Sequence, residues 1–165
     1  MKGDLTVTIE SWPIAGGFTI SRGTKTEAIV VVAEIHTGAH RGRGECVPYA
    51  RYGETVEGIR DDIARLAERV SHGLTREELA TLLPAGAARN ALDCALWDLE
   101  AKEKGKSVAS LAGIADTKPL VTAYTLSLGT PEAMLEAARK AAHRELLKVK
   151  LGGDGDADRI AAVRE

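Results

Sequence analysis

Two lysines, Lys148 and Lys150, stand two residues apart within the apolar run LLKVKLGG (residues 146–153). Because a β-strand turns alternate side chains to opposite faces, this spacing predicts that both ammonium groups point the same way. A lysine acts as a base near neutral pH only when its pKa is lowered, which burial or a second nearby ammonium group achieves. One lysine would then hold charge while the other exchanges protons, and the spacing does not decide which.

The plainer interpretation of this pair is an edge strand with two solvated lysines, a common way to prevent edge-to-edge pairing. Three features favour a catalytic role instead. The neighbouring residues are leucines and a valine, as in a central strand, and the strand is the second in a β–α–β series. Gly152 and Gly153 follow its carboxyl end, where α/β barrels carry their active sites. We therefore expect both lysines to point into the interior of a barrel.

The elements around the lysines follow a parallel pattern. Residues 120–129 (LVTAYTLSLG) predict a strand, and Thr130-Pro131 predicts the start of a helix that extends to about His143. Together with the lysine strand this is a β–α–β unit, which implies parallel pairing. The next helix is predicted to begin at about Asp156. Because parallel sheets are covered on both faces, we expect the chain to be a fragment or the first part of a longer polypeptide.

The N-terminal part predicts an antiparallel meander of three or four strands, followed by helices. Strand patterns occupy residues 5–12, 27–36 and 42–48, with a short strand or a mobile loop over 16–23. Helix patterns occupy residues 54–70, a short segment after the capping box of Thr75 and Glu78, and residues 84–104. We therefore expect an α+β domain over residues 1–117 and the start of a parallel α/β fold over 118–165.

Composition excludes several classes of partner. The 165 residues are 44% hydrophobic and 28% charged, which is typical of a globular protein. A net charge of −2 supplies no basic surface for nucleic acid, and no apolar run is long enough to span a bilayer. The first twenty residues lack the apolar core of a signal peptide. Cys46 and Cys94 are too few for a disulfide framework, so we expect reduced thiols in a cytoplasmic protein.

Several segments resemble one enzyme family. Residues 87–113 (AARNALDCALWDLEAKEKGKSVASLAG) resemble the helix signature of the mandelate racemase/muconate-lactonizing group of the enolase superfamily. Residues 42–55 (GRGECVPYARYGET) and 18–28 (FTISRGTKTEA) resemble the capping-domain segment and the specificity loop of its dipeptide epimerases, and LLKVKLGG resembles their K-x-K strand. The resemblance implies an α+β capping domain over residues 1–117, followed over 118–165 by the first two βα units of a (β/α)7β TIM-like barrel.

The resemblance also implies an activity. It is that of a racemase or epimerase acting on the α-carbon of the C-terminal residue of a dipeptide such as L-Ala-D/L-Glu. Such enzymes form a Mg²⁺-stabilised enolate and use two lysines on opposite faces as acid/bases. By position, Lys150 is the implied acid/base and Lys148 the group that stabilises the enolate charge. The metal ligands and the opposing lysine are implied to lie beyond residue 165, and DGDAD (154–158) is interpreted as a charged loop whose N-cap opens a helix.

The same resemblance suggests substrate-binding residues. Arg22 lies in the specificity loop and is implied to pair with a side-chain carboxylate of the substrate. Tyr49 and Tyr52 lie in a polar-aromatic loop, for which substrate binding and ordinary loop packing weigh about evenly. Thr125 faces the site if its register matches that of the lysines. The expected partner is a small dipeptide, with no nucleic acid or membrane, and a homo-oligomer is left open.

Two alternatives accompany this hypothesis. One is another member of the superfamily that shares the K-x-K strand, such as an o-succinylbenzoate synthase or a muconate-lactonizing enzyme. The other, from a different class, is a non-catalytic fragment or interaction module. We expect residues 1–165 alone to be inactive, since the sequence shows no recognisable metal ligands or opposing base.

Overall fold

The computed structural model describes residues 3–165, which fold into five β-strands and seven α-helices. The strands are β1 (Asp4–Ile20), β2 (Gly23–Thr37), β3 (His40–Cys46), β4 (Tyr124–Leu126) and β5 (Leu147–Val149). The helices are α1 (Val56–Ala64), α2 (Ala67–Ser71), α3 (Arg76–Leu82), α4 (Ala87–Lys104), α5 (Val108–Leu111), α6 (Pro131–Lys140) and α7 (Asp156–Arg164). Contacts divide the chain into two units. The first is the chain up to Trp12 with Ala28–Thr117, and the second is Pro13–Glu27 with Lys118–Glu165.

The N-terminal strands form a three-stranded sheet in the order β1-β2-β3. Strands β2 and β3 pair antiparallel, with Val31 opposite Cys46 and Thr37 opposite His40. The predicted antiparallel meander is therefore confirmed, with three strands. Residues 16–20, which the sequence left open between strand and loop, continue β1, and a turn at residues 21–22 leads into β2.

Two glycines bring β3 into close contact with α4. A Cβ atom at Gly42 would lie 2.6 Å from the Leu99 Cβ, and one at Gly44 would lie 2.6 Å from the Ala95 backbone nitrogen. Both glycines are buried. Only hydrogen atoms fit between strand and helix here, so glycine sets the distance at which the longest helix packs on the sheet.

Side chains of α4 form hydrogen bonds with backbone groups at the outer edge of β3. The Asp98 carboxylate accepts hydrogen bonds from the Arg43 backbone N–H (2.8 Å) and from Lys102 Nζ (2.6 Å). Lys102 Nζ also donates to the Arg41 carbonyl at 2.7 Å. Burial alone would raise the pKa of Asp98, but the two hydrogen bonds outweigh it and hold that pKa below its ordinary value. The helix thereby covers an edge that could otherwise pair with another chain.

The first unit has one apolar core between the sheet and helices α1 to α4. The predicted helix over residues 54–70 is wrong in one respect, because α1 ends at Ala64 and α2 begins at Ala67. The Leu66 N–H bonds the Ile63 carbonyl, a tightened turn that keeps Leu66 buried together with Ile63. The predicted capping box of Thr75 and Glu78 is confirmed at the start of α3.

The second unit contains a parallel β4–α6–β5 arrangement followed by α7. Thr130 caps α6 and Pro131 is its first residue, as the sequence predicts. The predicted strand over residues 120–129 is too long, because β4 covers only Tyr124–Leu126. Leu120, 88% exposed, has an apolar side chain typical of strands, but pairing and burial begin only further along the chain. Helix α6 likewise ends at Lys140, three residues before the predicted limit.

Candidate active site

The β4–β5 pair defines the position of the lysines. Thr125 lies opposite Lys148 and Leu126 opposite Val149. The ladder continues beyond the strands, because the Lys150 N–H donates to the Leu126 carbonyl at 3.1 Å. Leu126, Leu147 and Val149 pack in a small core with side chains of α6 and α7. Alternation therefore places Thr125, Lys148 and Lys150 together on the opposite face of this sheet.

The two lysines share this face but differ in exposure. Lys150 is half-buried, whereas Lys148 is exposed. Both lysines lie on the face away from α6 and α7, and their orientation toward a barrel interior stays a prediction. Thr125 is half-buried at the position opposite Lys148. The arrangement sets two amines and a hydroxyl side by side, a combination that can accept a proton and hold negative charge.

A clamp of hydrogen bonds fixes the loop after β5. The Asp156 carboxylate accepts hydrogen bonds from the Gly152 N–H (3.0 Å) and the Gly153 N–H (2.7 Å), and these bonds lower the pKa of Asp156. It also pairs with Arg159 at 2.9 Å, and Arg159 donates to the Gly129 carbonyl at 2.9 Å. The loops that follow β4 and β5 are thus tied together through one arginine.

The acidic stretch DGDAD serves this clamp. Asp156 is the first residue of α7, where the sequence predicts the helix to begin, and the N-cap is Gly155, which provides no side-chain hydrogen bond. Within residues 3–165, no group of three His, Cys, Asp or Glu side chains is arranged to hold a metal ion. Asp156 is itself engaged with backbone N–H groups and a guanidinium.

The segment 13–27 contacts the carboxyl ends of the same strands. The Leu128 N–H donates to the Thr19 carbonyl at 3.0 Å, and the Thr19 N–H donates to Ser127 Oγ at 3.4 Å. The ring centroid of Phe18 lies 5.8 Å from Lys150 Nζ. Sequence reasoning missed Phe18 as a neighbour of the lysine, because the two residues are far apart in the chain and no spacing relates them.

Arg22 lies in the turn between β1 and β2, and it is exposed. It belongs to the same unit as the lysines. Its predicted role in substrate binding stays a prediction.

Tyr49 and Tyr52 belong to the first unit. Tyr52 ends the short 3-10 helix Ala50–Tyr52 and is 76% exposed, and the two tyrosine rings lie 5.9 Å apart between centroids. The Glu54 carboxylate accepts hydrogen bonds from the Tyr49 N–H and the Ala87 N–H, both at 2.8 Å. Glu54 therefore fixes the tyrosine loop to the start of α4, where Gly86 offers no side-chain cap. No spacing or motif in the sequence predicts this link.

The cysteines supply no nucleophile. Cys46 is buried and Cys94 is exposed, and both are free thiols. Burial, and secondarily the negative charge of Glu54, raise the pKa of Cys46 to about 11. Burial, followed by the charge of Asp93, also raises the pKa of Cys94. Both thiols therefore stay protonated near neutral pH, which disfavours nucleophilic chemistry at either sulfur.

In the part of the chain described here, no helix has both the length and the apolar character needed to cross a bilayer.

Comparison with known proteins gives consistent results. Residues 2–113 match the family Mandelate racemase / muconate lactonizing enzyme, N-terminal domain. The chain is 46% identical over 157 residues to the L-Ala-D/L-Glu epimerase of Escherichia coli (strain K12), an alignment that covers 94% of this chain and 49% of that protein. The chain thus spans about half the length of the curated relatives it matches.

Two solved structures share this fold. One is an enolase family member from Agrobacterium tumefaciens with homology to dipeptide epimerases, solved with bound sodium and L-Ala-L-Glu; it is 52% identical, with a TM-score of 0.93 over 98% of this chain and 50% of that one. The other is a dipeptide epimerase from Enterococcus faecalis V583, complexed with Mg and L-Leu-L-Tyr. It is 27% identical, with a TM-score of 0.85 over 99% of this chain and 50% of that one.

Proposed function

Because the chain belongs to the mandelate racemase/muconate lactonizing enzyme family, we propose that the protein epimerises the α-carbon of the C-terminal residue of a dipeptide such as L-Ala-D/L-Glu. One observation carries the proposal. Lys148, Lys150 and Thr125 share one face at the carboxyl ends of two parallel strands, in a chain 46% identical to an epimerase of that specificity. This is the end of the strands at which α/β barrels carry out their chemistry.

The proposed chemistry is a proton transfer. The amine of Lys150 takes the α-proton of the substrate, so the Cα–H bond breaks, an N–H bond forms and the electron pair passes into the carboxylate as an enolate. Lys148, two residues away on the same face, places a positive charge beside the developing negative charge. Return of a proton to the opposite face of the planar enolate inverts the configuration, and this step needs a second group that acts as the acid.

The proposal includes a requirement for Mg²⁺, supported by relatives solved with Mg and a dipeptide. The described residues do not themselves fit such an ion, since residues 3–165 contain no group of three His, Cys, Asp or Glu side chains placed to hold one. Asp156 is committed to Gly152, Gly153 and Arg159.

The proposed substrate is acidic at its C-terminal residue. The chain is 52% identical to a structure with bound L-Ala-L-Glu and 27% identical to one with bound L-Leu-L-Tyr. We assign Arg22 as the residue that pairs with the side-chain carboxylate, a bidentate contact that neutral dipeptides do not offer. Tyr49 and Tyr52 complete the proposed substrate-binding set, on the resemblance of their loop to that of dipeptide epimerases.

A direct assay tests the function. The full-length protein, incubated with Mg²⁺ and L-Ala-L-Glu, should produce L-Ala-D-Glu, measured by NMR or by optical rotation. L-Leu-L-Tyr should react far more slowly, and Arg22→Met should reduce the preference between the two dipeptides. Chelation of the metal should stop the reaction, and added Mg²⁺ should restore it. Lack of epimerisation of any dipeptide in a panel that spans acidic, basic and apolar C-terminal residues would refute the proposal.

A further inference from the structure

The ring of Phe18 lies against the lysine strand. Its centroid is 5.8 Å from Lys150 Nζ, within the distance of about 6 Å at which an aromatic face attracts a cation. Both residues are half-buried, so bulk water screens this attraction less than it would at an exposed site. We infer that Phe18 is a positioning residue for Lys150, an inference that rests on the proposed function.

The backbone next to Phe18 is held in place. Thr19 accepts a hydrogen bond from the Leu128 N–H at 3.0 Å and donates its own N–H to Ser127 Oγ at 3.4 Å. Its hydroxyl also bonds that of Thr24, with 3.0 Å between the oxygens. Since Thr19 follows Phe18 directly, the ring is fixed relative to the end of β4, the strand that carries Thr125.

The loop after β5 packs beside the residues that follow β4. A Cβ atom at Gly152 would lie 2.7 Å from Leu128 Cδ2, so the Leu128 side chain lies close against this glycine. Leu128, which holds Thr19, is thereby packed against the residue two positions after Lys150. Phe18, the end of β4 and the end of β5 form one locally packed group within the second unit.

A lysine side chain has four flexible carbons, so its amine needs a partner to keep it in one position. The negative face of an aromatic ring can be this partner. Unlike a hydrogen-bond donor, the ring leaves the lone pair of the lysine nitrogen available. When Lys150 takes the α-proton, the new N–H bond creates an ammonium group beside the ring, and the ring attracts that charge. The contact is to Lys150, so its effect is confined to the proton transfers that use Lys150.

The experiment measures exchange of the α-proton with solvent deuterium by NMR, separately for L-Ala-L-Glu and L-Ala-D-Glu, in the full-length protein. Lys150→Ala identifies which epimer presents its proton to Lys150. Phe18→Leu should slow exchange from that epimer roughly 3- to 30-fold, the range expected for loss of a partly desolvated cation–π contact. Exchange from the other epimer should change less than about twofold. Phe18→Tyr should restore the rate, since it keeps the aromatic face.

Lys140→Ala serves as the control, because Lys140 is an exposed residue at the end of α6 and pairs with Glu136. It should leave exchange from both epimers unchanged. Equal slowing of both epimers by Phe18→Leu, no slowing of either, or failure of Phe18→Tyr to restore the rate would overturn the inference while the proposed function stands. Absence of exchange from either epimer in the unaltered protein would refute the proposed function, and this inference with it.

Discussion

At the level of single residues, the two lysines share a face but not an environment. Lys148 is exposed and lies opposite Thr125, whereas Lys150 is half-buried beside an aromatic ring. An amine held against a ring has a more restricted position, which suits proton transfer. The contact with the Phe18 ring distinguishes Lys150 from Lys148 within the KVK triplet.

Replacement of each lysine should separate these roles. In Lys150→Ala, epimerisation should fall at least about 10²–10⁴-fold in both directions, the range of general acid–base catalysis. Exchange of the α-proton with solvent deuterium should survive from one epimer only, the one whose proton faces the other base. In Lys148→Ala, exchange should slow from both epimers, because stabilisation of the enolate serves either direction.

The measurement is NMR exchange on each epimer separately, with Lys140→Ala as the control. Lys140 is an exposed lysine at the end of α6, paired with Glu136, and its loss should leave both rates unchanged. Equal slowing of both epimers in Lys150→Ala would show that Lys150 is not specific for one face, and the assignment of roles would then be wrong.

The common face of these lysines followed from the sequence, because period-two alternation is a local property of a strand. The neighbours of the lysines did not. Phe18 meets Lys150 only because the backbone of Thr19 bonds to the end of β4, a contact between segments distant in the sequence. Glu54 presents the same difficulty, since its link between Tyr49 and Ala87 depends on the tertiary fold and on no periodic pattern.

At the level of elements, the packing of β3 on α4 depends on Gly42 and Gly44. A side chain at either position would overlap the helix backbone. The face of α4 that meets the strand is also built from small residues, Ala91 and Ala95, both fully buried. Close approach lets Asp98 and Lys102 reach the edge of β3, so the glycines and the hydrogen bonds to that edge depend on one another.

We predict that Gly44→Ala lowers the free energy of unfolding by about 1–3 kcal/mol, the usual cost of adding volume to a closely packed core. The added Cβ would lie 2.6 Å from the Ala95 backbone nitrogen, and the rigid helix backbone cannot move aside as a flexible side chain would. Urea unfolding followed by the fluorescence of the two tryptophans, of which Trp97 lies on α4, measures the change.

His40→Ala is the matched control for this substitution. His40 is the exposed first residue of β3, where loss of the side chain should change stability by less than about 0.5 kcal/mol. If Gly44→Ala left the unfolding midpoint where His40→Ala leaves it, the strand and helix would have more room than the structure shows.

Elements with strong local signals were predicted well. The capping box of α3, the Thr130-Pro131 start of α6 and the glycine after α4 all appear where the sequence indicates. The boundaries that depend on tertiary packing were not predicted well. The apolar face across residues 54–70 is continuous although the helix is interrupted at residues 65–66, and residues 120–123 have strand-like composition without pairing. Hydrophobic periodicity indicates which face of a segment is buried. It does not indicate whether the backbone hydrogen bonds of a helix or strand continue through the whole segment.

At the level of the whole molecule, the two units differ in the size of their cores. The cluster in the first unit contains seventeen buried residues drawn from the sheet and helices α1 to α4. The cluster around β4 and β5 contains three, Leu126, Ala138 and Ala141, with partly buried neighbours. Because apolar burial is the main favourable term in folding, the described part of the chain has most of its stability in the first unit.

Amide hydrogen exchange should reveal this difference in the 165-residue chain. Amides of α4 and of the centre of β2 should exchange slowest, close to the rate set by global unfolding. Amides of β4 and β5 should exchange faster, because opening them exposes less apolar surface. Mass spectrometry of peptides after timed exposure to deuterated water measures both sets. Equal protection in the two units would show that they open together as one cooperative structure.

Phe18 is also the single phenylalanine among the 165 residues. Growth on fluorinated phenylalanine therefore gives this chain one fluorine nucleus, located beside the ammonium group of Lys150. The chemical shift of that nucleus depends on the charge 5.8 Å from the ring centroid, so the protonation state of one chosen amine becomes visible without any substitution. The contact between Phe18 and Lys150 thus allows fluorine NMR of this chain to report whether Lys150 is protonated.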